Sequence, residues 1–191
     1  KLGALYRQVS ELGGLTGKQH INIEGLAVAG KEVFFLNRGN SAGNIIFRVA
    51  LGEIYDYMTG KIERLEKIKK YDVRLPVVDG NEAGLSGADF WPEIDALIYT
   101  ASIEASNNAY DDEKILSSFI GLIRLDSLHD DQLLDLSNSA QQVMRKGKVL
   151  ITKVESVALT ASDKNGASGA LVSDNDNGRS EFFRFSLKLK P

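Results

Sequence analysis

The chain has 191 residues, 43% of them hydrophobic, enough for one sizeable core and short of two clear domains. Its net charge of −3 is spread without blocks, which argues against a nucleic-acid partner, and no apolar run approaches the roughly 20 residues of a membrane-spanning helix. There is no cysteine, so disulfide scaffolds, zinc–thiolate sites and thiol nucleophiles are excluded together, while the compartment of a soluble chain stays open between cytoplasmic and periplasmic or secreted.

Residues 1–20 read as the end of a preceding structural unit, with an outer strand expected at residues 4–9, Ala4 to Val9. Gly13-Gly14-Leu15-Thr16-Gly17-Lys18 has the outline of a phosphate-binding loop, but Leu12 stands at its first glycine position and Gln19 at its Ser/Thr position. The first full unit, residues 21–84, opens with a strand at 23–28, turns at Gly30, returns through 33–36 and ends in Asn37-Arg38-Gly39-Asn40. A third strand follows at 45–49 and a fourth at 69–75. Residues 59–69 between them carry a mild helical period and read as a solvated excursion.

The second unit, residues 85–152, repeats the order: Ser86 to Trp91, a turn at Pro92-Glu93, then 96–100 ending in Ala101-Ser102-Ile103-Glu104. Its third strand is expected at 121–125 and its fourth near Gln142. Residues 126–138 read as an exposed insertion with a short helix. The third unit, residues 153–191, runs Val154 to Leu159, a turn through Gly166, then 170–173 ending in Asp174-Asn175-Asp176-Asn177-Gly178, with a third strand at 181–185. Arg48, Arg124 and Arg184 recur in the third strands at one register and are expected to be structural.

Three matches in one order, about 65 residues apart, form an internal repeat of the kind that builds radial sheet arrays. The expected fold is therefore all-β, a β-propeller seen as three four-stranded blades, the last incomplete. Three blades leave two raw edges, and closure removes edges, so the expected whole is a six-bladed ring. Its other half is expected from a missing N-terminal segment of the same propeller or from a partner chain, as the sequence begins at Lys1 without a methionine.

In such a ring the start of each first strand and the end of each second strand share one face. That register brings Glu24 toward Asn37, Arg38 and Asn40, and Glu155 toward Asp174 and Asp176, and it puts Asp89 near Ser102 and Glu104. The result is an acidic funnel with one arginine at its mouth. Convergent carboxylates hold a hard cation through oxygen ligands or polarise a water; alternatively they hydrogen-bond neighbouring blades as staples. Asp174 to Gly178 opens like a calcium loop, but Phe185 stands where an EF-hand needs its glutamate, and Asn177-Gly178 is also a turn signal. No G-x-S-x-G elbow is present, and the two histidines, His20 and His129, leave no catalytic residue assigned.

Asn22-Ile23-Glu24-Gly25-Leu26-Ala27, Leu36-Asn37-Arg38-Gly39-Asn40 and Val172-Ser173-Asp174-Asn175-Asp176-Asn177-Gly178 resemble an uncharacterised bacterial propeller family related to the esterase-like and phytase-like propellers. The likeness covers nearly the whole chain as the C-terminal half of such a protein. It implies hydrolysis of carboxylic or phosphate esters, often with calcium in the channel. On that basis Glu24, Glu155, Asp174 and Asp176 would be metal ligands, with Arg38, Asn40 and Glu104 binding a small anionic ligand. The alternative is a non-catalytic propeller module that binds a protein or ligand, with the carboxylates structural.

Overall fold

The computed structural model describes residues 2–15, 20–39, 43–105, 114–130, 132–176 and 178–189. The first element is a helix, α1 (Leu2–Leu12), not the outer strand expected at residues 4–9. Leu2, Leu5, Val9 and Leu12 recur at steps of three and four, the spacing of one helical face. The shorter window holds only Leu5 and Val9, which alternation also accommodates. Leu5 and Val9 are buried in a cluster with Leu15, Ile45, Phe47 and Tyr57. Gln8 fastens the helix to the Leu65 backbone, accepting its amide at 3.1 Å and donating to its carbonyl.

The first sheet is a meander of β1 (Ile23–Ala29), β2 (Glu32–Asn37), β3 (Asn44–Ala50) and β4 (Lys69–Arg74), each antiparallel to the next. A second helix, α2 (Leu51–Thr59), leaves β3 directly, so the helical period lies ahead of the 59–69 stretch where the sequence suggests it. Gly60, with φ of 83°, adopts the left-handed conformation that ends it. The excursion beyond is pinned at Leu65, 1% exposed.

A hairpin of β5 (Val77–Val78) and β6 (Asn81–Glu82) turns through Asp79-Gly80, both at positive φ, and leads into the second sheet. That sheet pairs β7 (Gly84–Trp91), β8 (Ala96–Ala105) and β9 (Lys114–Arg124), then adds a later short strand. The insertion expected at 126–138 is mostly exposed and opens on a short 3-10 helix, Leu125–Ser127, as read; it also holds a short strand, β10 (Leu134–Asp135), which pairs parallel to β4 and extends the first sheet to five strands. Leu128 and Leu136 bury, so its leucines tie this segment down. β11 (Gln141–Gln142) supplies the short fourth strand of the second sheet. The hairpin β12 (Met144–Arg145) and β13 (Lys148–Val149) then leads to the third sheet. That sheet has three strands, β14 (Val154–Ser162), β15 (Gly166–Asp174) and β16 (Ser180–Lys188). The fold class is all-β; among the described residues there are sheets of five, four and three strands and two two-stranded hairpins, none closed on itself. Among the described residues no helix is long and apolar enough to cross a membrane.

The sheets stack face to face with β7 between β1 and β14. The first strands carry the repeat in their backbones: each has a bulge at its start, between Ile23 and Gly25, Leu85 and Ala88, and Val154 and Ser156. Next to each bulge the chains approach closely. A Cβ on Gly25 would stand 2.3 Å from the Ser86 carbonyl oxygen, and one on Gly87 2.7 Å from the Ser156 Cα. β8 is buried on both sides. Leu97, Tyr99, Ala101 and Ile103 join the first sheet's Phe34, Leu36, Ile46 and Tyr71 in one core, and Ile98 joins Val154, Val157 and Leu171 in another.

This register corrects two alignments. Arg48 lies opposite Phe34 and Arg184 opposite Ala170, which are equivalent positions, but Arg124 lies opposite Ala96, two residues further along, where Leu122 is the true counterpart. A slip of two keeps every side chain on its face, so the apolar pattern does not reveal it. Arg48 pairs with Glu32 at 3.2 Å and Arg124 with Asp126 at 3.2 Å. Asp89 is likewise displaced. It pairs in register with Ile98, and its Oδ2 accepts the Leu159 amide at 2.7 Å, tying β7 to β14 far from Ser102, which pairs with Gly84.

Candidate functional site

The starts of β1, β7 and β14 and the ends of β2, β8 and β15 lie at one end of the three sheets. Identical clasps close the outer two units there: the Arg38 amide donates to the Asn22 carbonyl at 2.8 Å, and the Asp174 amide to the Lys153 carbonyl at 3.0 Å. The pairs are therefore equivalent, Asn22 with Lys153 and Arg38 with Asp174. An asparagine side chain braces each clasp. Asn37 Oδ1 accepts the Asn22 amide at 2.7 Å, and Asn175 Oδ1 accepts the Lys153 amide at 2.8 Å.

From this frame one run of ion pairs crosses all three sheets. Arg38, 6% exposed, passes over Gly84, where any Cβ would stand 2.6 Å from its Cγ. Its Nη1 donates to Ser102 Oγ at 2.9 Å, and its Nη2 to Glu104 Oε2 at 2.9 Å and to the Ser102 carbonyl at 3.4 Å. The other oxygen of Glu104 faces Lys153 Nζ at 2.8 Å, and the same ammonium reaches Asp176 Oδ2 at 2.6 Å. Glu155 Oε1 stands 3.4 Å from Nζ, an ion-pair distance without hydrogen-bond geometry, and this buried oxygen has no hydrogen-bond partner. Beneath the ions, buried hydroxyls join the second and third sheets: Ser86 Oγ donates to the Val154 carbonyl at 2.8 Å, and Ser118 Oγ to the Thr152 carbonyl at 2.6 Å.

Three carboxylates, Glu104, Glu155 and Asp176, thus share two cations, and Glu24 adds a fourth negative charge near Glu155. Burial pushes the Glu155 carboxyl above the ordinary glutamate range; Lys153 pulls it down, and the nearby charge of Glu24 pushes it up again. Lys153 is also held above the usual lysine value. Burial works to lower it, but its bonds to Asp176 and Glu104 prevail. A half-buried carboxyl with an unbonded oxygen, in a cluster of net negative charge, attracts either a proton or a second cationic group.

The predicted residues separate as follows. Glu104, Glu155 and Asp176 converge on Lys153, and Glu24 lies beside Glu155 with its Oε1 accepting from Asn22 Nδ2 at 2.8 Å. Asp174 turns its Oδ1 to the Asp176 amide at 3.1 Å. Arg38 is buried with its guanidinium on Ser102 and Glu104, so an external anion would have to displace Glu104. Asn40 lies outside the described residues. Lys153 is the residue that sequence reasoning passed over. The signal for it was its place one residue before Val154-Glu155, matching Asn22 before Ile23-Glu24.

The calcium ion that the resemblance implies would meet carboxylates already turned toward an ammonium. Among the described residues no group of three or more acidic or histidine side chains is placed to hold a metal ion. As they stand, Glu104, Glu155 and Asp176 are turned toward the Lys153 ammonium.

The model of a family of unknown function, DUF6929, matches residues 1–187, and the chain belongs to that family. No curated protein and no solved structure matches it.

Proposed function

We propose that this member of a family of unknown function forms part of a β-propeller. In this reading it is a non-catalytic binding module whose charged end receives an ammonium or guanidinium group. The repeated bulges, the close backbone contacts at Gly25 and Gly87, and the stacking of β7 between β1 and β14 support the propeller reading. One observation carries the ligand class: Glu155 Oε1 is buried without a hydrogen bond, beside Glu24, in a cluster whose built-in cation is already an ammonium. An incoming cation would satisfy that oxygen and pair with Glu24, and a partner's lysine or arginine offers the matching donor.

A second reading is ester or phosphoester hydrolysis with the calcium that the resemblance implies. It is favoured by the raised Glu155 carboxyl, a property of general acids.

The test is thermal unfolding with spermidine, a lysine- and arginine-rich peptide, or calcium chloride, each against a matched salt control. A ligand at a hundredfold excess over its dissociation constant adds about 2.7 kcal/mol, which is roughly 5–10 °C for a chain of this size. We expect the amine or the peptide to give such a rise, and Glu155→Gln, checked for native circular dichroism, to remove it. Equal melting with all three additives contradicts the binding reading. Hydrolysis of p-nitrophenyl acetate or phosphate that requires calcium and is lost in Glu155→Gln would establish the second reading instead.

A further inference from the structure

Two faces of the stack stand open, and the repeat identifies what each is shaped to meet. The face of the first sheet that carries Gly25, Ala27 and Leu36 packs on the second sheet. The equivalent face of the second sheet, through Gly87 and Ile98, packs on the third. In the third sheet those positions are Ser156, Ala158, Val172 and Phe182, and here Val172 is 41% and Phe182 65% exposed. At the other end the relation reverses. Ala88 and Val157 bury against the sheet before them, but their counterpart Leu26 is 54% exposed, as is the neighbouring Val28 at 45%. α1 packs on β3 and also on Ile23 of β1 and Phe35 of β2, and leaves an apolar cleft of 190 Å³ between Leu2 and Tyr6 on the helix and Ile23, Leu26 and Phe35 on the sheet.

From this we infer that a second copy of the chain docks head to tail, the Val172–Phe182 face of one copy covering the Leu26–Val28 strand and the α1 cleft of the other. The inference rests on the propeller reading. The two open faces are the two sides of one interface that the chain already makes twice within itself. Two copies about a twofold axis would use both faces of each and leave none open, closing six sheets into a ring. No step of charge or chemistry is needed beyond the apolar contact that already joins the sheets.

Because the chain has no cysteine, the geometry can be read by directed crosslinking. Chains carrying Val172→Cys are mixed with chains carrying Leu26→Cys and oxidised, and the mass of the unmodified protein is measured by light scattering. The expected result is a particle of twice the 20.9 kDa chain mass, a mixed disulfide in large excess over either self-disulfide, and return to single-chain mass in Phe182→Asp. The circular dichroism spectrum of Phe182→Asp should match the parent, as that side chain is mostly exposed within one chain, while its melting temperature should lose the concentration dependence that association gives the parent. A single-chain mass for the parent at 100-micromolar concentration would overturn the second copy alone. A dimer dominated by the Val172→Cys self-disulfide would overturn the ring reading with it, since no ring sets two third sheets face to face.

Discussion

Lys153→Met removes the hub of the ion network with little change of shape. Lys153 is 16% exposed and faces Glu104, 14% exposed, Glu155, 24% exposed, and Asp176, 68% exposed. The exposed Asp176 pair contributes little, about 0.2–1 kcal/mol. Breaking a buried pair costs about 3–5 kcal/mol when the remaining charge has no partner. Here Glu104 keeps Arg38, so the cost falls below that range, at about 2–3 kcal/mol near pH 7. For a chain of this length that lowers the melting temperature by about 5–10 °C. The loss has a defined pH dependence. With the ammonium gone, Glu155 destabilises the fold only while ionised, so the difference from the parent shrinks as pH falls through its raised carboxyl range. The assay is urea unfolding at a series of pH values, with Lys61→Met as control. Lys61 and its partner Asp56 are both exposed, and that change should stay within about 1 kcal/mol. A loss from Lys153→Met no larger than the control's, or one that is flat between pH 4 and 8, would refute the network as drawn.

Two further substitutions probe the packing. Gly87→Ala forces a Cβ to 2.7 Å from the Ser156 Cα and should cost about 1–3 kcal/mol or more in denaturant unfolding, while Gly52→Ala, with open space around its Cβ, should not destabilise. Tyr99→Phe deletes a hydroxyl that is buried without a partner and that burial keeps protonated, so stability should hold or rise by about 1 kcal/mol, and a drop of that size would mean that the hydroxyl has a partner.

The repeat was legible because strands β1, β2 and β3 and their counterparts are short β-branched or aromatic runs between Gly, Asn and Asp, a pattern strong enough to survive divergence. The approach of Asp176 to Glu155 followed from the same register, since strand starts and strand ends must share an edge, whereas Glu104 was placed through Asp89, which lies elsewhere. What failed was information that lies in three dimensions or in a longer window. α1 needs Leu2 and Leu12 to separate a helical stripe from alternation, and α2 sits where the strand pattern of β3 runs on without a break. Arg124 and Asp89 were misplaced because a slip within a strand leaves the apolar pattern unchanged. Lys153 was hidden by its neighbours. A lysine before a strand reads as solvated, and only the position of Glu104 on β8 turns it inward.

The most direct test of the charged end as a cation-binding site is the titration of the Glu155 side-chain carboxyl by carbon-13 NMR, alone and with spermidine. Because its folded value is raised, ionising Glu155 opposes folding: its favourable contribution is present at low pH and is lost as pH rises through the raised value. The account predicts a midpoint above the ordinary glutamate range in the free protein and a shift downward when the amine binds. A midpoint at the ordinary value that the amine does not move would contradict it.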